Sequence, residues 1–380
     1  MQLLLEQMNG YVLVAVLVLC ILVLSKATDI LVDEAISLSL EWGMSELVIG
    51  ATIVSLGTSL PELAVSISSS LKGNGILSLG NVIGSTIVNT SFILGIGALY
   101  GSIPVNRKTA YKHTVLSALS LLLILSSLPI FHADGQGKIP QWLGIVFLLL
   151  TPVYFYWTVR EGKKSDQEAI IEEDKEKDLS ILVKLIKLLI SAGFVIASAS
   201  VLVSTVEIGA FRIGIPESVI ASTVVAFGTG LPEISTTIVS VKKGYGALAM
   251  GNIMGSNLLN TLFVLGVALG LTPGGMVVSS DFYQIHFPAL AILLAVLGYF
   301  SYNNKREVIS RKEGRILIFF YLVYLIWNLF GYRSSVPFSL SLSGTSWTTA
   351  TVAKSLTGVE PFTKTGSSSS SSKGPATSAK

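Results

Sequence analysis

The chain has 380 residues, 51% of them hydrophobic and 13% charged, with a formal net charge of +3. One soluble core of this size does not absorb that much apolar sequence, so the surplus requires a bilayer as solvent. The single cysteine, Cys20, excludes a disulfide framework and a cysteine-built metal cluster. The basic residues are scattered over many loops without interleaved aromatics, which excludes a nucleic-acid surface.

Apolar stretches of about 18–25 residues, long enough for a helix to cross hydrocarbon, recur along the chain. They lie at roughly 11–30, 46–70, 76–99, 113–132, 140–158, 181–206, 217–241, 247–271, 284–302 and 314–331. The first is preceded by no basic segment, since Met1–Gly10 carries only Glu6, and it reads as a retained helix and not as a secretory signal. Cys20 sits inside it as a small core residue. The acidic stretch 159–180 reads as a solvated linker, with a regulatory cation site at Glu172, Glu173, Asp174 and Glu176 as the alternative. From residue 332 the composition turns to Ser, Thr, Gly and Lys, and 332–380 is expected to be a disordered tail.

Lys26, Arg107, Lys108, Lys112, Arg160, Lys163, Lys164, Lys175, Lys177, Lys242, Lys243, Lys305, Arg306, Arg311, Lys312 and Arg315 all fall on one side of a ten-span chain. Lys72, Lys138, Arg212 and Arg333 fall on the other. The positive-inside rule then places both termini outside the cell membrane and the 159–180 linker in the cytoplasm.

Residues 50–95 and 221–266 are two copies of one segment, aligned without a gap. Gly57 matches Gly228, Glu62 matches Glu233, Ser85 matches Ser256 and Asn89 matches Asn260, always at the same offset. Each copy belongs to a set of five spans, an odd number, so the second set enters the membrane from the opposite face. The expected fold is an all-α polytopic membrane protein of ten transmembrane helices. It forms two inverted five-helix repeats, 1–158 and 181–331, with broken helices at the midplane, an architecture common in secondary transporters.

Glu62 and Glu233 are the carboxylates in the middle of apolar spans, at equivalent places in the two copies. A carboxylate at the bilayer centre costs roughly 2.5–3.5 kcal/mol on insertion scales, and no Lys or Arg lies at matching depth in the sequence. Two protonated glutamates hydrogen-bonded inside the bundle would be a purely structural solution; a bound cation explains their symmetry better. Thr58 and Glu62, Ser85 and Asn89, Thr229 and Glu233, and Ser256 and Asn260 are each spaced four apart, on one helical face. Hydroxyl, amide and carboxylate oxygens suit hard ions such as calcium and sodium. A lone Ser or Thr on a helix more often bonds back to the carbonyl one turn earlier. Pro61 and Pro232 lack an N–H and crowd the carbonyls of Gly57 and Gly228, so the helices are expected to open and free carbonyls near Ser55–Gly57 and Ala226–Gly228. Gly80, Gly84, Gly251 and Gly255 would permit close helix approach or bending.

At these residues the chain resembles the cation/calcium antiporter superfamily, and within it the prokaryotic sodium/calcium exchangers. GTSLPE at 57–62 with GNVIGSTIVN at 80–89, and GTGLPE at 228–233 with GNIMGSNLLN at 251–260, are similar to the family's two alpha-repeats. The resemblance extends over the ten-span body to about Phe330. It implies four ion sites at the midplane, with Glu62 and Glu233 as shared carboxylates. Thr58, Ser59, Ser85, Asn89, Thr229, Ser256 and Asn260 would be side-chain ligands, and Ser55 and Ala226 would contribute backbone oxygens. Two positions depart from the pattern. Gly230 stands where the first repeat has Ser59, removing a hydroxyl from one sodium site. Asn260 stands where potassium-dependent relatives carry Asp, which argues against potassium co-transport.

The function implied is exchange of calcium for sodium by a monomer using alternating access, with no cofactor and with the two ions as transported partners. A calcium/proton antiporter is the alternative, and a calcium-permeable channel a more distant one. Ser, His and Asp are not arranged as a nucleophile set, and His113, His132 and His286 lie near span ends, so an enzyme is not expected.

Overall fold

The computed structural model describes residues 7–71, 75–131, 137–163, 181–212, 229–303 and 307–335, with Leu5 and Gly73. Most of the 159–180 linker, the first half of the seventh predicted span, and the tail beyond residue 335 lie outside these residues. The helices are α1 (Gly10–Glu41), α2 (Glu46–Thr58), α3 (Leu60–Leu71), α4 (Gly75–Tyr100), α5 (Arg107–Ser127), α6 (Gln141–Lys163), α7 (Ile181–Arg212), α8 (Leu231–Lys242), α9 (Gly246–Gly270), α10 (Phe282–Tyr302) and α11 (Arg311–Ser335). Among the described residues, seven helices are long and apolar enough to cross a membrane: α1, α4, α5, α6, α7, α9 and α10. The pair α2 and α3 adds an eighth if its 46° bend is counted within one span.

Local chemistry sets several helix starts. Asn9 opens α1 by accepting the Val12 N–H at 2.9 Å, and Asn106 opens α5 by accepting that of Thr109 at 3.0 Å. Ser310 and Glu313 form a reciprocal capping box at α11: the Ser310 N–H donates to Glu313 Oε2 at 2.6 Å, and the Glu313 N–H to Ser310 Oγ at 3.3 Å.

α1 and α7 are longer than their apolar stretches predict, 32 residues each. At 1.5 Å per residue each reaches about 48 Å, well beyond the roughly 30 Å of hydrocarbon. The extension of α1 is stabilised on two faces. Leu31, Val32, Ala35 and Leu38 are buried, and the acids between them find lysines distant in sequence. Glu41 pairs with Lys184 at 2.7 Å and Glu34 with Lys187 at 3.0 Å, both across to α7, while Lys243 pairs with Asp33 at 2.8 Å and Asp29 at 3.4 Å. α1 and α7 share a hydrophobic cluster that includes Leu24, Leu31, Leu188 and Val195 and takes in Ile49 and Val54 of α2 and Leu248 of α9. A second, larger cluster is built mainly by α4, α5, α6, α9, α10 and α11.

Two short ribbons tie the halves together. β1 (Ile103–Pro104) pairs antiparallel with β4 (Val308–Ile309), and β2 (Lys138–Ile139) pairs antiparallel with β3 (Met276–Val277). β1 follows α4 as β3 follows α9, and β2 precedes α6 as β4 precedes α11, so the repeat interchanges the ribbons. Helix crossings follow the same rule. A Cβ on Gly95 of α4 would lie 2.7 Å from the Gly314 carbonyl oxygen of α11, and one on Gly144 of α6 would lie 2.9 Å from that of Gly266 on α9.

Of the glycines singled out in the sequence, Gly251 and Gly255 lie directly against the backbone of α2, at Leu47 and Ala51, and Gly50 of α2 reciprocates against Leu248 and Asn252. Gly80 and Gly84 make no comparable approach among the described residues, and the repeat equivalent of α2 falls on residues outside them. Gly251→Val is therefore expected to lower the thermal midpoint in detergent, by an overpacking penalty of about 1–3 kcal/mol. Gly193→Ala, whose added methyl meets nothing within 4 Å on α7, should leave the midpoint unchanged or slightly raised. Differential scanning fluorimetry of the two variants checks this.

Candidate ion-binding site

Pro61 and Pro232 stand at the second position of α3 and α8, where a missing N–H does no harm. The residue before each helix takes nearly the same conformation, φ −84°, ψ 3° at Ser59 and φ −84°, ψ 0° at Gly230. Ser59 O then accepts the Leu63 N–H at 3.1 Å and Gly230 O that of Ile234 at 2.9 Å. Both glutamates thereby fall in the first turn of a helix, where the backbone dipole favours negative charge.

The break lies at Ser59, slightly later than the proline rule places it. Ser55 O still accepts the Ser59 N–H at 3.0 Å and the Thr58 hydroxyl at 3.4 Å, so this carbonyl is engaged within its own helix turn. The backbone is loosened elsewhere. Gly50–Val54 is a π-helical turn inside α2, and the Ala51 carbonyl there accepts the Tyr154 hydroxyl of α6 at 2.8 Å. α4 and α9 carry matching π turns that begin at Asn89 and Asn260, so both candidate amide ligands sit where the helical ladder widens.

Glu62 and Glu233 are buried, at 1% and 0% exposure. A threonine of the opposite half stands beside each glutamate, Thr229 beside Glu62 and Thr58 beside Glu233. The Ser256 hydroxyl donates to Glu233 Oε1 at 3.4 Å, and Thr58 Oγ1 lies 3.3 Å from Ser256 Oγ and 3.2 Å from Asn252 Oδ1. Glu62, Glu233, Thr58, Thr229 and Ser256 are thus brought together. Ser85 is half-buried on α4, and Ala226 lies outside the described residues.

Among the described residues, Glu62 Oε2, Glu233 Oε2, Ser59 Oγ and both amide atoms of Asn260 are buried without a hydrogen-bond partner. Neither glutamate has a basic ion-pair partner there. A lysine, Lys112, is fully buried, but its ammonium approaches Thr158 Oγ1 at 3.4 Å and the rings of Tyr154 and Trp157, not the carboxylates. No group of three or more His, Cys, Asp or Glu side chains is assembled among the described residues. The open oxygens and uncompensated negative charge suit a hard cation as cargo.

Asn81 and Asn252 were not singled out in the sequence, although the repeat aligns them with each other. Asn81 donates to the Glu62 carbonyl and to Ser66 Oγ, both at 3.0 Å. Asn252 accepts from Thr58 and donates to Thr236 Oγ1 at 2.9 Å. Asn257, also unflagged, bonds Asn89 and Thr90 of α4.

Paired buried carboxylates with unpartnered hydroxyl and amide atoms, in a chain with membrane-length helices, fit an ion transporter, and the family to which the chain belongs is one of ion exchangers and not of enzymes. The chain belongs to the sodium/calcium exchanger protein family, whose model matches residues 12–160 and 183–330. It is 31% identical over 283 residues to an uncharacterized membrane protein of Methanocaldococcus jannaschii, covering 74% of this chain and 86% of that one. It is 28% identical over 344 residues to the sodium/calcium exchanger MaX1 of Methanosarcina acetivorans, covering 82% and 97%. The structure of the sodium-calcium exchanger NCX_Mj soaked with 2.5 mM Na+ and 1 mM Sr2+ matches with a TM-score of 0.71 at 27% identity, covering 84% of this chain and 99% of that one.

Because each carboxylate is buried without a basic partner among the described residues, Glu62→Gln and Glu233→Gln are each expected to keep or raise the thermal midpoint in ion-free detergent. Calcium at a hundredfold excess over its Kd should stabilise the wild type by about 2.7 kcal/mol through linkage, raising its midpoint, and leave both variants unmoved. Fluorimetry with and without calcium checks both halves of this expectation.

Proposed function

We propose that the chain is a secondary-active antiporter that exchanges calcium for sodium by alternating access. It works as a monomer of ten spans in two inverted five-helix halves. Glu62 and Glu233 share the transported ions. Thr58, Ser59, Ser85, Asn89, Thr229, Ser256 and Asn260 supply side-chain oxygens, and Ser55 and Ala226 supply carbonyls. Both termini face outward and the linker at 159–180 faces the cytoplasm.

The observation that carries this reading is the pair of buried glutamates, each with a threonine of the other half beside it and neither paired with a basic side chain among the described residues. Two carboxylates balance one calcium ion. The interchanged ribbons and glycine crossings support the inverted two-fold relation. Such a relation gives a shared central site two equivalent routes, one from each face. The positions of Lys184, Lys187 and Lys243 against the same half of α1 support a common cytoplasmic side for the linker end and the end of α8.

In proteoliposomes, calcium uptake should follow an outward sodium gradient, be indifferent to potassium, and be abolished in Glu62→Gln and Glu233→Gln. Uptake driven by a proton gradient in sodium-free buffer would make the protein a proton antiporter instead, and flux without any counter-ion would make it a channel. Gly230 provides a finer test. Its φ of −84° matches that of Ser59, so a serine fits its backbone without left-handed strain. Gly230→Ser should raise apparent sodium affinity with calcium affinity little changed, and Ser59→Gly should lower sodium affinity, both read from the sodium dependence of exchange.

A further inference from the structure

Asn257 lies on α9, one residue after Ser256, and is fully buried. Its carboxamide is held on both sides by α4. The oxygen accepts from Asn89 Nδ2 at 3.1 Å, and the nitrogen donates to Thr90 Oγ1 at 2.8 Å. A carboxamide has a donor side and an acceptor side, and a hydroxyl can do either. The chain Asn89–Asn257–Thr90 can therefore run in two directions. In the direction observed, Asn89 spends its NH2 on Asn257 and keeps its oxygen. In the reverse direction Thr90 donates to Asn257, Asn257 donates to Asn89, and Asn89 is left presenting NH2. Only the first direction offers a cation a ligand, and in a dry interior an unmatched amide is costly to leave.

The other repeat lacks this arrangement. The residue equivalent to Asn257 is Thr86, whose hydroxyl is bonded to the Val82 carbonyl at 2.9 Å. Asn260, the equivalent of Asn89, has neither amide atom engaged among the described residues. One amide ligand is thus oriented by a neighbour and the other is not.

We propose that Asn257 is a positioning residue that sets the polarity of the Asn89 carboxamide, so that the oxygen of Asn89 is the atom presented to the transported cation. The inference rests on Asn89 being an ion ligand. It makes the Asn89 side of the site preorganised and leaves the Asn260 side free to turn.

The test is equilibrium calcium binding to the detergent-solubilised full chain by calorimetry, paired with thermal midpoints. Asn257→Ala should weaken calcium binding about tenfold, equivalent to about 1.4 kcal/mol. Asn89→Asp has an oxygen on either side, so polarity no longer matters. In that background Asn257→Ala should change calcium affinity by less than about threefold, while it lowers the thermal midpoint equally in both. Should Asn257→Ala fold poorly, Thr90→Val removes only the far end of the chain and should weaken calcium about threefold. Equal affinity losses in both backgrounds would reduce Asn257 to a packing residue and overturn the proposal. An unchanged affinity in Asn257→Ala and Thr90→Val, with a loss in Asn89→Ala, would overturn it while leaving Asn89 as a ligand. No loss in Asn89→Ala would remove the ligand assignment itself.

Discussion

Two buried carboxylates, with no basic side chain to neutralise them among the described residues, are the constraint around which the rest is arranged. Carboxylates at this depth cost several kcal/mol together, a large share of the roughly 5–15 kcal/mol that separates folded from unfolded proteins. The structure meets that cost with directed dipoles: a helix N-terminus under each glutamate and a threonine from the opposite half beside it. What these dipoles leave over is a partial negative charge with open oxygens, and a cation completes it. The prolines are part of the same solution, since each lets a helix begin in the middle of the bundle.

This arrangement explains why the glycines cluster where they do. Gly50, Gly251 and Gly255 bring the backbones of α2 and α9 together, so that Thr58 of one half reaches Ser256 and Glu233 of the other. Larger residues would hold the two repeats apart and leave each glutamate with hydroxyls of its own half only. α1 and α7 flank this contact. They pack chiefly on one another, in an apolar cluster that also takes in Ile49 and Val54 of α2 and Leu248 of α9, and ion pairs hold the extended, polar half of α1.

The glutamate pair, the proline breaks and the repeat were legible in the sequence because each is a matter of residue type at fixed spacing. The length of α1 was not, because Asp33, Glu34 and Glu41 read as the end of a span until Lys243, Lys187 and Lys184 are brought to them by the fold. The π turns at Gly50, Asn89 and Asn260 have no compositional signature; they are a backbone choice made in the presence of neighbouring helices. The proline rule located the opened helix to within a turn, near Ser55–Gly57, while the break itself falls at Ser59 and the Ser55 carbonyl accepts a local N–H. Asn81 and Asn252 were visible in the alignment of the two copies. Their value lay in contacts to Glu62 O, Thr58 and Thr236 that only the folded chain reveals. Asn257 had no such symmetry to mark it, because Thr86 stands in its place.

The ribbons have a consequence for how the chain is made. β1 and β2 are complete as sequence once residue 139 has been synthesised, yet neither has a partner until β3 at 276–277 and β4 at 308–309 arrive. The first half therefore leaves the ribosome with both strand edges bare and with Gly95 and Gly144 facing helices that do not yet exist. Its charged residues are equally premature, since Glu62 meets its threonine only after residue 229 has been added. Such long-range closure makes the last quarter of translation the step at which the native contacts become available together. A nascent chain stalled before β4 holds every candidate ion-site residue but lacks the strand that closes β1 and the α11 helix that packs on Gly95.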